Sequence, residues 1–198
     1  MRGAILAGGA SSRLGGVPKG LLEVAGIRIL DRVVVALVEA FGELPLLVAN
    51  AADAASWRPD LETVPDRRAG AALGGIFTAV AAAPGPVVVV AWDMPFVTAP
   101  LLRRLADALI NVDVALPASG PRGLEPLCAA YGPTTLEPIR RAIGRGDFRA
   151  VAFHDEVRVA VLGSEEVARF GDPARLFFNV NTAADLAAAD LLAKQERR

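Results

Sequence analysis

Short apolar runs alternate with longer amphipathic stretches along most of the chain. The apolar runs, typical of strands buried on both faces, lie at 3–6, 44–49, 61–64, 87–91 and 113–117. Stretches with the helical period follow at 27–41, 76–82 and 101–109. This order predicts an α/β fold with a single doubly wound, mostly parallel sheet flanked by helices. The run at 87–91 is the most hydrophobic, so we expect it at the centre of the sheet.

The amphipathic stretch at 27–41 shows the clearest helical pattern. One apolar stripe along it comprises Ile29, Leu30, Val33, Val34, Leu37, Val38 and Phe41. Gly42 follows directly and predicts the end of this helix, because glycine readily adopts the backbone conformation of a helix C-cap.

The pattern changes after Ala118. Here the sequence predicts a loop at 119–123, a short strand at 125–131, a helix at 133–143 and an edge strand at 157–162. A closing helix runs to Leu192, with Asn181 or Thr182 as its N-cap. No linker separates these elements from the preceding ones, so we interpret residues 1–198 as one domain with two halves, 1–117 and 118–198.

Length and hydropathy limit where the protein works. The chain has 198 residues and a mean hydropathy of +0.40, yet no run reaches the roughly 18 apolar residues of a membrane span. Met1 and Arg2 lead straight into the first predicted strand, which leaves no room for a signal peptide. We therefore expect a cytoplasmic protein without a membrane partner.

Charge and cysteine usage exclude other classes of site. A formal net charge of −1 provides no long-range field to attract nucleic acid. Cys128 is the single cysteine, which excludes an intramolecular disulfide, and its apolar neighbours favour a buried structural role. The single histidine, His154, lies in no recognisable nucleophile motif and is interpreted as solvated or structural.

The glycine-rich loop after the first strand carries the chemistry of a phosphate site. Gly8 and Gly9 allow a ligand to approach the backbone closely, and Ser11 is placed to meet phosphate oxygens. Arg13 and Lys19 add two cations to the same loop, which we expect on the surface. The glycine spacing matches neither the dinucleotide-binding motif nor the P-loop. The loop therefore predicts a triphosphate site of another kind.

A carboxylate follows the predicted central strand. Asp93 is costly to desolvate at that position unless a cation or hydrogen bonds meet it. An aspartate here can also cap the next helix, but Thr98 is expected to supply that cap. A Mg²⁺ ion held by one carboxylate and by substrate phosphates fits the position. Asn50 ends the second strand, where open α/β sheets bind their ligands.

Three segments together resemble one family. The loop follows the pattern L-A-G-G-x-S-x-R-L-G-x-x-x-K, the central strand reads V-V-V-V-A-W-D-M-P-F-V, and residues 177–186 follow F-x-N-x-N-T-x-x-D-L. These motifs resemble the molybdenum cofactor guanylyltransferase family, the MobA-like nucleotidyltransferases. The resemblance implies the nucleotide-diphospho-sugar-transferase-like variant of the Rossmann fold. It also implies transfer of GMP from GTP to molybdopterin, or to Mo-molybdopterin, with release of pyrophosphate and with Mg²⁺ as cofactor.

The resemblance also implies which residues act. Residues 1–117 would bind the nucleotide and residues 118–198 the acceptor. Asp93 would hold the metal, and Asp66 would accept the two neighbouring N–H donors of guanine. The nucleotide-binding positions are Leu6, Ala7, Gly8, Gly9, Ser11, Arg13, Lys19, Asn50, Asp66, Gly74 and Asp93. Arg13, Lys19 and Asp93 are the catalytic candidates, and Asn179 and Asn181 the candidates for contact with the acceptor.

Several interpretations stay open at this point. The turn at 146–150 matches the family pattern only loosely, which weakens the identification of the acceptor. The related cytidylyltransferases typically read L-A-A-G in the loop, whereas this chain reads L-A-G-G and ends this motif on Gly9. A cytidylyltransferase for the same pterin, a sugar-phosphate nucleotidyltransferase and a non-catalytic nucleotide-binding module are the alternatives. Gly74 is either a packing glycine or an exposed amide donor at a helix N-terminus. Proteins that deliver molybdopterin, and molybdoenzyme chaperones, are the protein partners that the family suggests.

Overall fold

The computed structural model describes residues 1–8, 13–14, 16–67, 71–119 and 123–195, with residues 13 and 14 described by their backbone alone. The strands are β1 (Arg2–Ala7), β2 (Arg13–Leu14), β3 (Val17–Pro18), β4 (Glu23–Val24), β5 (Ile27–Arg28), β6 (Leu46–Ala49), β7 (Thr63–Val64), β8 (Val87–Ala91), β9 (Val114–Pro117), β10 (Cys128–Tyr131) and β11 (Val159–Leu162). The helices are α1 (Ile29–Phe41), α2 (Ala54–Trp57), α3 (Ala72–Ala82), α4 (Ala99–Asp107), α5 (Leu136–Gly144), α6 (Ser164–Val167), α7 (Pro173–Leu176) and α8 (Ala183–Gln195).

Seven of the described strands form one sheet in the order β11-β9-β10-β8-β1-β6-β7. Neighbouring strands are parallel except for β10, which runs antiparallel to both β8 and β9. Ile5 of β1 lies opposite Leu47 on one side and Val90 on the other. Strand β8 is therefore the middle strand, as its continuous apolar run predicts, and all five of its residues are buried. The prediction of a mostly parallel α/β sheet is confirmed.

Helices cover both faces of this sheet. Alternate residues of β1 point to opposite faces, so that Ile5 joins the apolar cluster under α1 and α4 while Leu6 joins the one under α3 and α5. Val88 and Val89 of the central strand divide between the two clusters in the same way. Buried on both faces, these strands have no place for an outward polar residue, which explains their continuous apolar sequence.

The parallel strands bring four distant segments of the chain to one edge of the sheet. Strands β1, β6, β7 and β8 all end at the same edge because they run in the same direction. The residues that follow their ends are Gly8, Asn50, the Pro65–Asp66 pair and the Trp92–Asp93 pair. Open α/β sheets bind their ligands in crevices outside such carboxyl ends. The fold therefore assembles the predicted site residues from four loops.

The C-terminal helix packs at this edge through a third, smaller apolar cluster. Val24, Val180 and Ala189 are fully buried together there, which places α8 on the hairpin formed by β4 and β5. The turn of that hairpin uses positive φ at Ala25 (52°), and the backbone N–H of Ala25 donates to Asp190 Oδ1 at 2.6 Å. Helix α8 is thereby brought close to the segment that contains Lys19.

Several elements begin at residues other than the predicted ones. Helix α3 begins at Ala72 and not at residue 76, and β10 begins at Cys128 and not at residue 125. Helix α1 begins at Ile29 and not at residue 27, because Ile27 and Arg28 pair with β4 in the hairpin. It ends where predicted, with Gly42 in the left-handed conformation at φ 74°. Strand β11 lies at the edge of the sheet, as predicted.

Two further expectations concern burial. Cys128 is fully buried, as predicted, and burial raises the pKa of its thiol to about 12. His154 is partly buried with its ring edge-to-face against Phe153, and burial lowers its pKa, which agrees with a structural role. Across the described ranges, none of the helices combines the length and the apolar character needed to cross a bilayer.

Candidate functional site

Asp93 lies in the turn that follows the central strand, at the carboxyl edge of the sheet. Its side chain is partly buried, and this desolvation raises the pKa of its carboxyl group, while the nearby positive charge of Lys19 lowers it. The backbone carbonyl of Asp93 accepts a hydrogen bond from Val180 N at 2.9 Å. The C-terminal segment therefore fixes the turn that carries this carboxylate.

Lys19, whose positive charge acts on Asp93, is almost completely buried. It begins a 3-10 turn at Lys19–Leu21, its side chain belongs to a residue only 1% exposed, and Nζ donates to Asn181 Oδ1 at 2.6 Å. The expectation of a cation on a surface loop is wrong for Lys19. A buried ammonium is stable only when acceptors or negative charges surround it, and here Asn181 and Asp93 provide them.

A close contact between a glycine and a tryptophan explains why Lys19 and Asp93 lie together. Gly20 lies against the ring of Trp92, and a Cβ on Gly20 would overlap Cε3 of that ring and lie 3.0 Å from Cδ2. The other side of the Trp92 ring stacks on Trp57, with centroids 5.2 Å apart. Because Lys19 precedes Gly20 and Asp93 follows Trp92, this packing brings the cation to the carboxylate. Sequence reasoning missed this contact, for which K-G-L-L provides no signal of its own.

The helix after Asp93 is capped differently from the prediction. Thr98 occupies the N-cap position of α4, but its hydroxyl makes no capping hydrogen bond, and no described group bonds to its buried Oγ1. The predicted side-chain cap is therefore wrong. Asp93 does not cap α4 either, because five residues separate it from the first residue of the helix.

A hydrogen-bonded group surrounds Asp66 at the end of β7. The backbone N–H of Asp66 donates to Asn50 Oδ1 at 2.9 Å, which joins the loops after β6 and β7. The hydroxyl of Thr78, on α3, lies 3.1 Å from Asp66 Oδ1 and accepts from Arg67 N at 2.9 Å. Asn50 and Asp66 are thus brought together as predicted site residues, whereas sequence reasoning missed Thr78.

The two glycines at the start of α3 are buried. The Gly74 N–H donates to the carbonyl of Ala71 at 3.0 Å, so it is not presented as an open donor at the helix end. A Cβ on Gly75 would lie 3.1 Å from Leu6 Cδ1, which shows how closely α3 approaches β1. Leu6 in turn accepts from Trp92 N at 3.2 Å, so the ends of β1 and β8 are joined.

The two asparagines of the C-terminal motif have different partners. Asn181 reaches Lys19, whereas Asn179 Nδ2 donates within its own segment, to Phe177 O at 2.9 Å. Thr182 is the residue that caps α8, because its Oγ1 accepts from Asp185 N at 3.1 Å and Asp185 Oδ2 accepts from Thr182 N at 2.8 Å. Asn181 is therefore available to the site because the capping is done by its neighbour.

The remaining predicted positions divide into two groups. Ala7 ends β1 and Gly8 follows it, at the same edge as Asn50 and Asp93. Gly9 and Ser11, with the side chain of Arg13, lie outside the described residues. The backbone of Arg13 pairs with Pro18 in the small β2–β3 ladder, which places residue 13 beside the start of the Lys19 turn.

The donor groups around Asp93 fit Mg²⁺ held jointly with a substrate. Mg²⁺ is usually bound by one or two carboxylates together with waters and substrate phosphates, not by a protein cage. In the described ranges no cluster of three or more acidic, histidine or cysteine side chains is present. A partly buried carboxylate with a raised pKa gains from a cation, and Asp93 has that character.

The arginines in and before the turn at 146–150 form ion pairs with nearby carboxylates. Arg149 pairs with Asp147 at 2.6 Å, which lowers the pKa of that carboxyl group to about 2. Arg141 and Arg145, on and after α5, both pair with Glu156. These exposed pairs contribute little to stability.

Known proteins resemble this chain over most of its length. The family model described as the MobA-like NTP transferase domain matches residues 3–160. A probable molybdenum cofactor guanylyltransferase of Pelotomaculum thermopropionicum is 36% identical over 98% of this chain and 94% of its own length. Another, of Chloroflexus aggregans, is 35% identical over 94% of this chain and 91% of its own length.

A solved structure extends the comparison to the fold. The crystal structure of the molybdopterin-guanine dinucleotide biosynthesis protein A of Archaeoglobus fulgidus superposes with a TM-score of 0.82. The two chains are 26% identical, and the match covers 98% of this chain and 100% of the other.

Proposed function

The chain belongs to the MobA-like NTP transferase family, and on that premise we propose that it is a molybdenum cofactor guanylyltransferase. In the proposed reaction GMP passes from GTP to molybdopterin, or to Mo-molybdopterin. The products are the guanine dinucleotide form of the cofactor and pyrophosphate. Relatives at 36% and 35% identity, matched over nearly their full length, support this activity above that of a cytidylyltransferase.

The observation that carries the proposal is the meeting of Lys19, Asp93 and Asn181 at the carboxyl edge of the sheet. The buried ammonium bonds to Asn181 and lies in the field of the Asp93 carboxylate. The proposed site thus contains a buried cation whose charge acts on a half-buried carboxylate. Charges in such surroundings act more strongly on a bound triphosphate than they do in open solvent.

The proposed catalysis depends on position and charge neutralisation. A phosphate oxygen of the acceptor attacks the α-phosphorus of GTP in line, the bond to the bridging oxygen breaks, and pyrophosphate leaves with that electron pair. Lys19 binds oxygens of the triphosphate, and we propose that Arg13 does the same from the neighbouring loop. Asp93 would hold Mg²⁺, which when bound neutralises charge that develops on the phosphates. No protein nucleophile is needed, in agreement with the inert, buried Cys128.

Base selection is proposed to take place at Asp66. The guanine N1–H and N2–H donors lie side by side, and one carboxylate accepts both. Asn50 fixes the backbone of Asp66 from the neighbouring loop. Gly8, with the end of β1, would form the remaining wall around the nucleotide, together with Gly9 and Ser11.

The acceptor half of the chain is part of the same proposal. Residues 118–198 would bind the pterin, and Asn179 lies where the C-terminal segment passes the site. Asn181 joins this half to the nucleotide half through Lys19. We place the reaction in the cytoplasm. Partner proteins that deliver molybdopterin and a molybdoenzyme chaperone that receives the product would complete the reaction sequence.

A nucleotide panel tests the proposed function. Purified protein is incubated with Mg²⁺, molybdopterin and one of GTP, CTP, ATP or UTP, each labelled at the α-phosphorus. Labelled dinucleotide together with pyrophosphate is expected from GTP. Preference for CTP would instead establish a cytidylyltransferase, and nucleotide binding without pyrophosphate release would establish a non-catalytic module.

A further inference from the structure

Thr78 is a polar residue in an otherwise apolar helix. Helix α3 has the sequence ALGGIFTAVAA, in which the hydroxyl of Thr78 is the only polar side-chain group. The residue is 1% exposed and lies among apolar residues that pack α3 on the sheet. Valine has nearly the same shape and would fill this place without a polar group to satisfy. The hydroxyl therefore calls for an explanation other than packing.

The hydroxyl connects the helix to the Asp66 turn. Thr78 Oγ1 accepts from Arg67 N at 2.9 Å and has two acceptors within reach of its single proton, Asp66 Oδ1 at 3.1 Å and Gly74 O at 3.0 Å. A hydroxyl has one proton to donate. A carboxylate is the stronger acceptor, because hydrogen bonds to an ionised group are stronger than those between neutral groups.

We propose that Thr78 is a positioning residue for base selection, one that fixes the rotation of the Asp66 carboxylate toward the guanine edge. This inference rests on the proposed guanylyltransferase function. The terminal torsion of an aspartate is broad and has no sharp rotamer of its own. Among the described contacts, Asn50 holds the backbone of Asp66 and Thr78 holds one oxygen of its side chain. A carboxylate held in one plane meets two parallel N–H donors better than a rotating one.

The test compares variants of Thr78 that lack the hydroxyl with one that keeps it. Thr78→Val removes the hydroxyl and keeps the shape, Thr78→Ser keeps the hydroxyl, and Thr78→Ala serves in place of the valine variant if that protein does not fold. Each variant is assayed with GTP, with ITP, which has N1–H but lacks the 2-amino group, and with CTP. Thermal unfolding and far-UV circular dichroism confirm that the variants are folded.

We expect Thr78→Val to lower kcat/KM for GTP by about tenfold, on the order of one hydrogen bond to a charged group. The loss is expected in KM, with kcat at saturating GTP retained, and the GTP-to-ITP preference is expected to fall toward one. Thr78→Ser should stay within about threefold of the wild type. In the Asp66→Ala background the valine substitution should have no further effect on this preference, because the two residues act as a pair.

The outcomes separate the two proposals. A wild type that does not prefer GTP overturns the proposed function, and this inference with it, before any variant is measured. A wild type that prefers GTP to ITP, with a Thr78→Val variant that keeps the same preference, overturns this inference alone. Equal losses in the valine and serine variants would likewise assign Thr78 to packing.

Discussion

The side chains of Lys19 and Asn181 are 162 positions apart in the sequence and meet in a hydrogen bond of 2.6 Å between Nζ and Oδ1. Lys19 belongs to the loop region after the first strand, whereas Asn181 precedes the last helix. The bond makes the C-terminal motif part of the wall around the predicted triphosphate site. An ammonium has three N–H donors, so a bond to Asn181 orients it and leaves further donors for the phosphate oxygens of the proposed substrate.

Asn181→Ala is expected to weaken GTP binding by about tenfold, because the buried ammonium loses the acceptor that orients it. Isothermal titration with GTP and without acceptor measures this effect. Asn179→Ala is the matched control, since that side chain bonds within its own segment, and it should keep the wild-type affinity. An unchanged GTP affinity together with a raised KM for molybdopterin would place Asn181 on the acceptor side instead.

Asp93→Ala is expected to lower the rate of GMP transfer by about three orders of magnitude at saturating Mg²⁺. Loss of the residue that would hold the metal removes several kcal/mol of charge stabilisation in the transition state. The measurement is the initial rate of pyrophosphate release. Asp107→Ala, at the exposed end of α4, is the control and should keep the wild-type rate. Near-normal turnover of the Asp93 variant would contradict the metal assignment.

Binding of Mg²⁺ should weaken in acid at a pH above the ordinary aspartate pKa of 3.8. Burial raises the pKa of Asp93, with Lys19 opposing, so this carboxyl group takes up a proton at a higher pH than an exposed aspartate does. The protonated form does not hold a metal. Because the folded state binds this proton more tightly than the unfolded state, the free energy of unfolding falls as pH rises from 3.8 through the raised pKa of Asp93. Binding of Mg²⁺ should restore that stability.

Titration of Mg²⁺ from pH 4 to pH 8 in the presence of GTP checks this dependence. The Asp93→Asn variant, which has no such proton to lose, is the control. An affinity of the wild type that does not change with pH over this range would show that Asp93 is not a ligand.

Asp66→Ala is expected to weaken the binding of GTP by about tenfold to a hundredfold, since two N–H donors of the base lose their acceptor in a site that excludes water. CTP presents no such pair of donors, so the low activity expected with CTP as substrate should change little. Competition among GTP, CTP, ATP and UTP for wild type and variant measures the preference. Retention of the wild-type preference by the variant would move base recognition to another residue.

Gly20→Ala is expected to destabilise the protein by about 1–3 kcal/mol, because its Cβ would overlap the Trp92 ring. The ring cannot withdraw easily, since Trp57 stacks on its other face. Thermal unfolding measures the loss, and transfer activity should fall with it as Lys19 moves from Asp93. Gly144→Ala, where a Cβ meets no atom within 4 Å, is the matched control and should not lower the melting temperature.

The elements that could be predicted are those determined by the local sequence pattern. The central position of β8 follows from its continuous apolar run, and the end of α1 follows from Gly42. The antiparallel insertion of β10 between β8 and β9 has no comparable local signal, because strand pairing depends on contacts between distant segments.

The burial of Lys19 could not be predicted for a related reason. A lysine in a glycine-rich loop is usually exposed, and its burial here depends on Asn181 and Trp92, which come from other parts of the chain. The cap predicted at Thr98 failed although its position is correct, because an N-cap position does not ensure that the side chain turns toward the helix. Thr78 did carry a signal, since a lone hydroxyl in an apolar helix is unusual.

The stacked rings of Trp57 and Trp92 have an optical consequence. They are the only two tryptophans of the chain, and an interplanar angle of 22° at 5.2 Å brings their transition dipoles into close coupling. Trp92 is also the residue that precedes Asp93 and covers Gly20. All indole absorption and emission of this protein therefore originates beside the candidate site, and a ligand that arrives there is expected to change the intrinsic fluorescence without any label.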